Sequence, residues 1–531
     1  VLHWLRRHFN KAEWDLSSLS LPWDADRPAI AAFLGEHLQA DGTALVDSEL
    51  PLPDEDRVSG PTGLRYAPGA RDGIALFHTT GVSEPDVTAE VLGLLWVVLA
   101  DDGLQRLPDL YAALVGHRAL SWVDELGAGI VEKSPDPARV YALALLLANL
   151  SPDREAVKAG IALLGMLSLD EGDLSLLRLL GSHDEFTLYV AVAIGSQVED
   201  AERELFALAG RTVGWGRIHA VLRIADSEDP QIRGWLLREG YHNSVMDRYL
   251  ALPCARGARL DEALADVRID EWLLAGGGRI LAALVEEDGP TPGMEAWDEG
   301  AAATLRWLHH VQPETAPIAT LPTLAALVEA AGRGDPPWGR DAAAAIGLQA
   351  HALLADEAWP DRVGTALQSA GEPGDAFEIA VAAAHALGQD LTSFWRARLS
   401  ANDARPWQEL LDGADADTLD LVLAEAARLF PAELGADESG RPVPSTVGGR
   451  VLSALLAALA GAPGRGGPFV IAGLESPLAQ HRNLALRALA AWSQDRWPEG
   501  AHERVARLAT EDPEPSVRER AAAAWGQTAE A

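Results

Sequence analysis

The sequence predicts an all-α fold: an α-solenoid, a curved stack of helical hairpins, preceded by a small irregular N-terminal region. Three observations predict it. Apolar residues recur at helical spacing in segments of about ten to fifteen residues. Pro, Gly or Asp-Pro interrupts these segments about every fifteen to twenty-five residues. Strand-like alternation is almost absent between them. With 531 residues the chain exceeds what one compact core holds, so it is subdivided or built from repeats.

Residues 1–84 read as three short helical stretches followed by a Pro- and Gly-rich segment, 50–73. There Asp72-Gly73 precedes Ile74-Ala75-Leu76-Phe77-His78-Thr79, and a small β-hairpin with Leu64-Arg65-Tyr66 is expected. Helical pairs follow, 137–150 with 154–167, 174–180 with 185–194, and 340–354 with 376–387. Repeats are expected over 85–285, 300–433 and 450–531, with loop-like breaks at 286–299 and 434–449 as the expected boundaries. Gly276-Gly277-Gly278 follows a helical run and reads as a helix stop, and Gly464-Arg465-Gly466-Gly467 reads as a joint between two helices. The tryptophans, for example Trp96, Trp307, Trp395 and Trp492, are expected to fill gaps between Ala-rich hairpins, with partner anchoring as the alternative for Trp14, Trp23 and Trp338.

Charge narrows the function classes. Lys and Arg number 43 against 79 Asp and Glu, a net of −36, and so negative a surface repels phosphate backbones. No nucleic-acid partner is expected. The single cysteine, Cys254, permits no internal disulfide, so the expected location is the cytoplasm. No apolar run approaches the eighteen or so residues of a membrane span, and the N-terminus lacks the pattern of a signal peptide. The absence of an initial Met leads us to expect residues before Val1.

One short pattern recurs. Pro515-Ser516-Val517-Arg518 opens an Ala-rich helix whose partner is 501–509, Asp229-Pro230-Gln231-Ile232-Arg233 repeats the theme, and Arg482 opens a weaker version 36 positions before Arg518. This Pro-x-[Ile/Val]-Arg lead into an Ala-rich helix resembles the second helix of HEAT repeats. That resemblance implies an armadillo-type superhelix in which no hairpin buries its apolar face alone.

Residues 211–254 stand apart from the Ala/Leu background. They concentrate Trp215, Arg217, His219, Arg223, Arg238, His242, Asn243, Asp247, Arg248 and Cys254. Trp215, His219 and Leu222 share one helical face, Asn243, Asp247 and Leu250 another, and stacking would let His219, His242 and Asp247 converge. A cationic cluster inside an acidic protein would draw in an anionic group. Trp215, Arg217, His219, Arg238, His242, Asn243, Asp247 and Arg248 are therefore the candidate binding residues, with packing and capping as the competing account of the same side chains.

Recognised chemical signatures are few. His309-His310 are adjacent rather than one helical turn apart, His219, His242 and Cys254 match no metal spacing, and the three lysines, Lys11, Lys133 and Lys158, follow no Gly-rich phosphate loop. No metal or cofactor is expected from the residues, and no catalytic residue is assigned. Gly214-Trp215-Gly216-Arg217-Ile218-His219, with Trp235-Leu236-Leu237-Arg238-Glu239-Gly240 and Asn243-Ser244-Val245-Met246, resembles a bacterial family some of whose members carry the name limonene hydroxylase. The resemblance implies a monooxygenase-type enzyme, which needs haem, flavin or a non-haem metal. The favoured expectation is a non-enzymatic scaffold whose concave acidic face holds a basic protein or peptide. The alternative is an enzyme or small-ligand binder using the 211–254 cluster.

Overall fold

Prolines and aspartates decide where the helices begin. Pro supplies a preset φ and lacks only an N–H that the first turn leaves unbonded, and Asp before it accepts from the freed amides. Asp136 accepts from the Ala138 amide ahead of Pro137, and Asp229 accepts from the Gln231 amide ahead of Pro230. At 170–173 the two aspartates cap each other's amides reciprocally.

The structure is a computed structural model describing residues 21–58, 65–79, 82–100, 103–369, 374–430 and 447–526. The chain divides into two compact units, Val1–Leu387 and Gly388–Ala531. The first contains α1 (Ile30–Glu36), α2 (Glu55–Val58), α3 (Ala70–His78), α4 (Pro85–Leu99), α5 (Leu107–Gly116), α6 (Leu126–Lys133) and α7 (Pro137–Leu150). It continues with α8 (Arg154–Leu164), α9 (Glu171–Gly181), α10 (Asp184–Gln197), α11 (Ala201–Ala209), α12 (Trp215–Val221), α13 (Pro230–Trp235) and α14 (Arg248–Gly257). Then come α15 (Leu260–Ala263), α16 (Glu271–Leu284), α17 (Gly300–His310), α18 (Leu321–Ala331), α19 (Arg340–Leu354), α20 (Trp359–Ser369) and α21 (Asp375–Ala386). The second unit holds α22 (Thr392–Arg396), α23 (Arg405–Leu411), α24 (Ala416–Leu429), α25 (Val447–Leu459), α26 (Gly467–Glu475), α27 (Ala479–Ala490), α28 (Ala501–Glu511) and α29 (Pro515–Gly526). The fold is all-α. Among the described residues there is no strand, only an isolated antiparallel bridge between Leu38 and Leu45, and no helix is long and apolar enough to cross a membrane.

Neighbouring helices pair, and alternate helices lie side by side. In the first unit α8, α10, α12, α14, α16 and α18 form one continuous run of contacts, each touching the next. In the second, α25, α27 and α29 do the same, while α26 touches α28. Leu143, Ile161, Val190, Ile218, Leu250 and Leu281, on α7 and along this run, are fully buried in the first unit.

Tryptophans join successive layers. Trp307 donates its indole N–H to the Leu274 carbonyl at 2.7 Å, and Trp492 donates to Leu459 at 2.8 Å. Each bond spans 33 positions, about one hairpin. Trp395 is likewise buried, Trp23 packs on Tyr111, and Trp14 lies outside the described residues.

Three expectations are corrected. The proposed β-hairpin is absent: residues 70–78 form α3, entered through Gly69 at φ 74°, and Leu64 lies outside the described residues. A short apolar run such as Ile74–Phe77 suits either structure, and burial of Asp72 against α8 selects the helix. Gly276-Gly277-Gly278 does not stop a helix but sits buried in the middle of α16. A Cβ at Gly276 would collide with the Leu237 carbonyl, and one at Gly278 would meet Trp307, so close approach outweighs intrinsic propensity. Finally, α19 pairs with α18 and α21 with α20, because α20 was not anticipated between the two segments expected to pair. The glycine-rich joint at 464–467 stands, with Gly464 and Gly466 at positive φ between α25 and α26.

Candidate functional site

The Pro-x-[Ile/Val]-Arg motif has a common geometry. Arg233 donates to the carbonyl of Ser227 at 2.7 Å. Arg482 donates to Ser476 and Pro477, both at 2.9 Å, and Arg518 to Asp512 and Pro513, at 2.5 and 3.1 Å. In each case the guanidinium reaches back six residues to hold the turn entering its own helix. Arg482 also grips the buried Asp512 with two nitrogens, at 2.7 and 2.9 Å, which ties one hairpin to the next.

Within 211–254 the structure separates the candidate residues rather than gathering them. His242 and Asp247 do meet, Nδ1 to Oδ1 at 2.7 Å, and Arg279 holds the other Asp247 oxygen at 2.9 Å. Burial favours the protonated Asp247, but His242 and Arg279 outweigh it and bring its pKa below the ordinary value. His219 is not with them. It lies buried in an aromatic nest with Trp215 and Phe77, their ring centroids 6.3 and 6.4 Å from its own, and Tyr249 packs on both of those rings. Burial lowers the His219 imidazole to about 4, the nearby Arg223 adds to this and Asp72 opposes it, so the ring is neutral.

The remaining candidates serve the backbone. Arg217 donates to the carbonyls of Ala209, Thr212 and His242. Arg238 pairs with Asp270 at 2.6 Å and reaches the Gly234 carbonyl. Arg248 is buried at the C-terminus of α16, donating to Ala283, Leu284 and Glu286 and onward to Thr291. It satisfies carbonyls that the helix end leaves free. Asn243 accepts from the amides of Val245 and Met246 and shapes the loop into α14. Asn243 and Asp247 precede that helix, so they do not share its face with Leu250 as the spacing had suggested. Leu222 is partly exposed and does not join the Trp215 nest.

A denser charged constellation lies at the seam of α3, α8 and α10. Lys158 is buried and touches Asp72 at 2.8 Å, Glu155 at 3.1 Å and Glu185 at 2.7 Å. Beside it Arg154 grips Asp54 at 3.0 Å and Glu55 at 2.8 Å. Tyr189 donates to Asp72, and the Gly69 amide donates to Glu185 at 2.8 Å. Burial alone would lower the Lys158 ammonium, but its three carboxylates hold it well above its ordinary value. Burial would raise Glu185, yet Lys158 and Arg154 together bring it to about 2. Glu155 is pushed up by burial, which eases the surplus of negative charge enclosed there.

A permanently protonated amine has no lone pair for nucleophilic attack or Schiff-base formation. The constellation joins Asp54, Glu55 and Asp72 to α8 and α10. Sequence reasoning passed over it, although one signal was present: Lys158 is the only charge in the otherwise apolar stretch 156–164.

The oxygen-activating chemistry implied by the hydroxylase resemblance finds no ligand set in these residues. His219 and His242 occupy different surroundings, and Cys254 is fully buried, its thiol pushed up by burial and by Asp247. Among the described residues no three His, Cys, Asp or Glu side chains are grouped to hold a metal ion. In comparison with known proteins, no family model matches the chain and no curated protein matches it.

Proposed function

We propose that each unit is a HEAT-like α-solenoid and that the chain is a non-enzymatic interaction scaffold for a basic protein or peptide. One observation carries the functional reading. The basic side chains are largely consumed internally, in carbonyl clamps such as Arg248 and Arg518 and in ion pairs such as Arg154 with Asp54, while acidic residues outnumber basic ones 79 to 43. The uncompensated carboxylates are left at the surface, where they steer a cationic partner. The recurrent arginine clamps and the side-by-side alternate helices support the solenoid part of the reading.

A fluorescent oligolysine peptide titrated into the full chain tests this reading. Binding at low salt that is lost at high salt supports it. Absence of binding at low salt, or binding indifferent to salt, contradicts it.

A further inference from the structure

An open groove of about 540 Å³ lies between α4 and α6. Each contributes one helical face. From α4 come Pro85, Thr88, Ala89, Leu92, Gly93 and Trp96, and from α6 and the residue before it Glu125, Ala128, Gly129, Glu132 and Lys133. Both sets follow the i, i+3, i+4, i+7 spacing of a single stripe. The floor is apolar and shallow because Ala89, Gly93, Ala128 and Gly129 carry little or no side chain.

Two features identify what fits. Gly129 is accounted for by the fold, since a Cβ there would collide with Trp96. Gly93 is not: a Cβ would meet nothing within 4 Å. A glycine in the middle of a fifteen-residue helix weakens that helix, and Gly93 is exposed, with no described residue in the space it leaves. The rim is acidic. Glu125 and Glu132 line the groove, the exposed Glu84, Asp86 and Asp124 adjoin its lining residues in sequence, and Lys133 is paired with Glu132 at 2.8 Å.

We infer that this groove receives an amphipathic helix from a basic partner, its apolar stripe lying over Ala89 and the half-buried Trp96 and its backbone passing close at Gly93, with lysines or arginines along the acidic rim. The lining runs from Pro85 to Trp96, a length matching about three turns of a bound helix. The inference rests on the scaffold reading and gives that reading a place and a partner class.

The test uses the full chain and two labelled probes: a synthetic helix of about fourteen residues with leucines on one face and lysines on the other, and an oligolysine of equal charge without the apolar face. Binding is followed by fluorescence anisotropy. Gly93→Leu fills the groove without touching the fold, Glu125→Lys with Glu132→Lys reverses its rim, and Glu357→Lys is an exposed acidic control elsewhere. The amphipathic probe is expected to bind more tightly than oligolysine, and to weaken about tenfold or more in Gly93→Leu and in the rim variant but not in Glu357→Lys. Equal affinity of wild type and Gly93→Leu for the amphipathic probe, or no binding of it by wild type, overturns the groove. Loss of the groove with oligolysine binding retained leaves the scaffold reading in place; failure of both probes at low salt removes both.

Discussion

Lys158 meets Asp72 at 2.8 Å across 86 positions of sequence, with both side chains buried. The contact fixes α3 onto α8, and Lys158 answers to Glu155 and Glu185 as well. Lys158→Met would leave three carboxylates enclosed without their cation, which is expected to cost about 3–5 kcal/mol at neutral pH. The sign with pH follows from the carboxylates. Glu185, held near 2 in the native protein, contributes stability that is present above its ordinary range and lost as pH falls toward 2. Without Lys158 the burial that raises Glu155 and Glu185 is opposed less, so the variant's folded state is expected to gain stability as pH falls into the carboxylate range. Urea unfolding at about pH 7 and about pH 4.5 should show the two proteins converging on the acid side.

His219 is buried with its Nε2 lacking a hydrogen-bond partner, and its imidazole is lowered to about 4. The unfolded chain therefore binds a proton that the folded chain refuses. Stability is full above the ordinary histidine value and falls as pH drops from about 6.5 to about 4, by about 3 kcal/mol in all. His219→Phe keeps a ring beside Trp215 and Phe77 and should flatten that part of the stability profile. Chemical denaturation across this pH range checks it; an unchanged slope contradicts the assignment.

Arg482 holds Asp512 bidentately and two carbonyls besides. Arg482→Ala is expected to destabilise the second unit by about 3–5 kcal/mol, because Asp512 then keeps a buried charge alone. Arg482→Lys should recover only part of the loss, since one ammonium cannot reproduce the planar fork. Calorimetric unfolding of the full chain reads both.

Two glycines in helix interiors should respond in opposite directions. Gly93→Ala meets open space and should stabilise by about 0.5–1 kcal/mol. Gly276→Ala pushes against the Leu237 carbonyl and should destabilise by about 1–3 kcal/mol. Parallel thermal melts distinguish them.

The all-α class was legible because helix starts and stops are local. Asp229-Pro230 and Pro515 mark them within one turn of chain. The site was less legible because its partners are distant. Nothing near Arg248 reveals the carbonyls of Ala283 and Leu284 and nothing near Arg238 reveals Asp270, so the density of polar residues in 211–254 fitted packing and capping as well as a pocket. The glycine triplet of α16 was misread for the same reason, because the π-helical turn at 236–240 that crowds it lies about forty residues upstream. His242 with Asp247 was within reach, being five positions apart, but Arg279, which completes the cluster, was not.

The most direct measurement of the central claim combines binding and melting on one variant, Asp124→Lys with Glu125→Lys and Glu132→Lys. If the surface carboxylates exist to receive a basic partner rather than to hold the fold, affinity for a lysine-bearing helical peptide at low salt falls about tenfold or more while the melting temperature stays within a few degrees of wild type. Unchanged affinity, with or without a change in melting, would contradict the account.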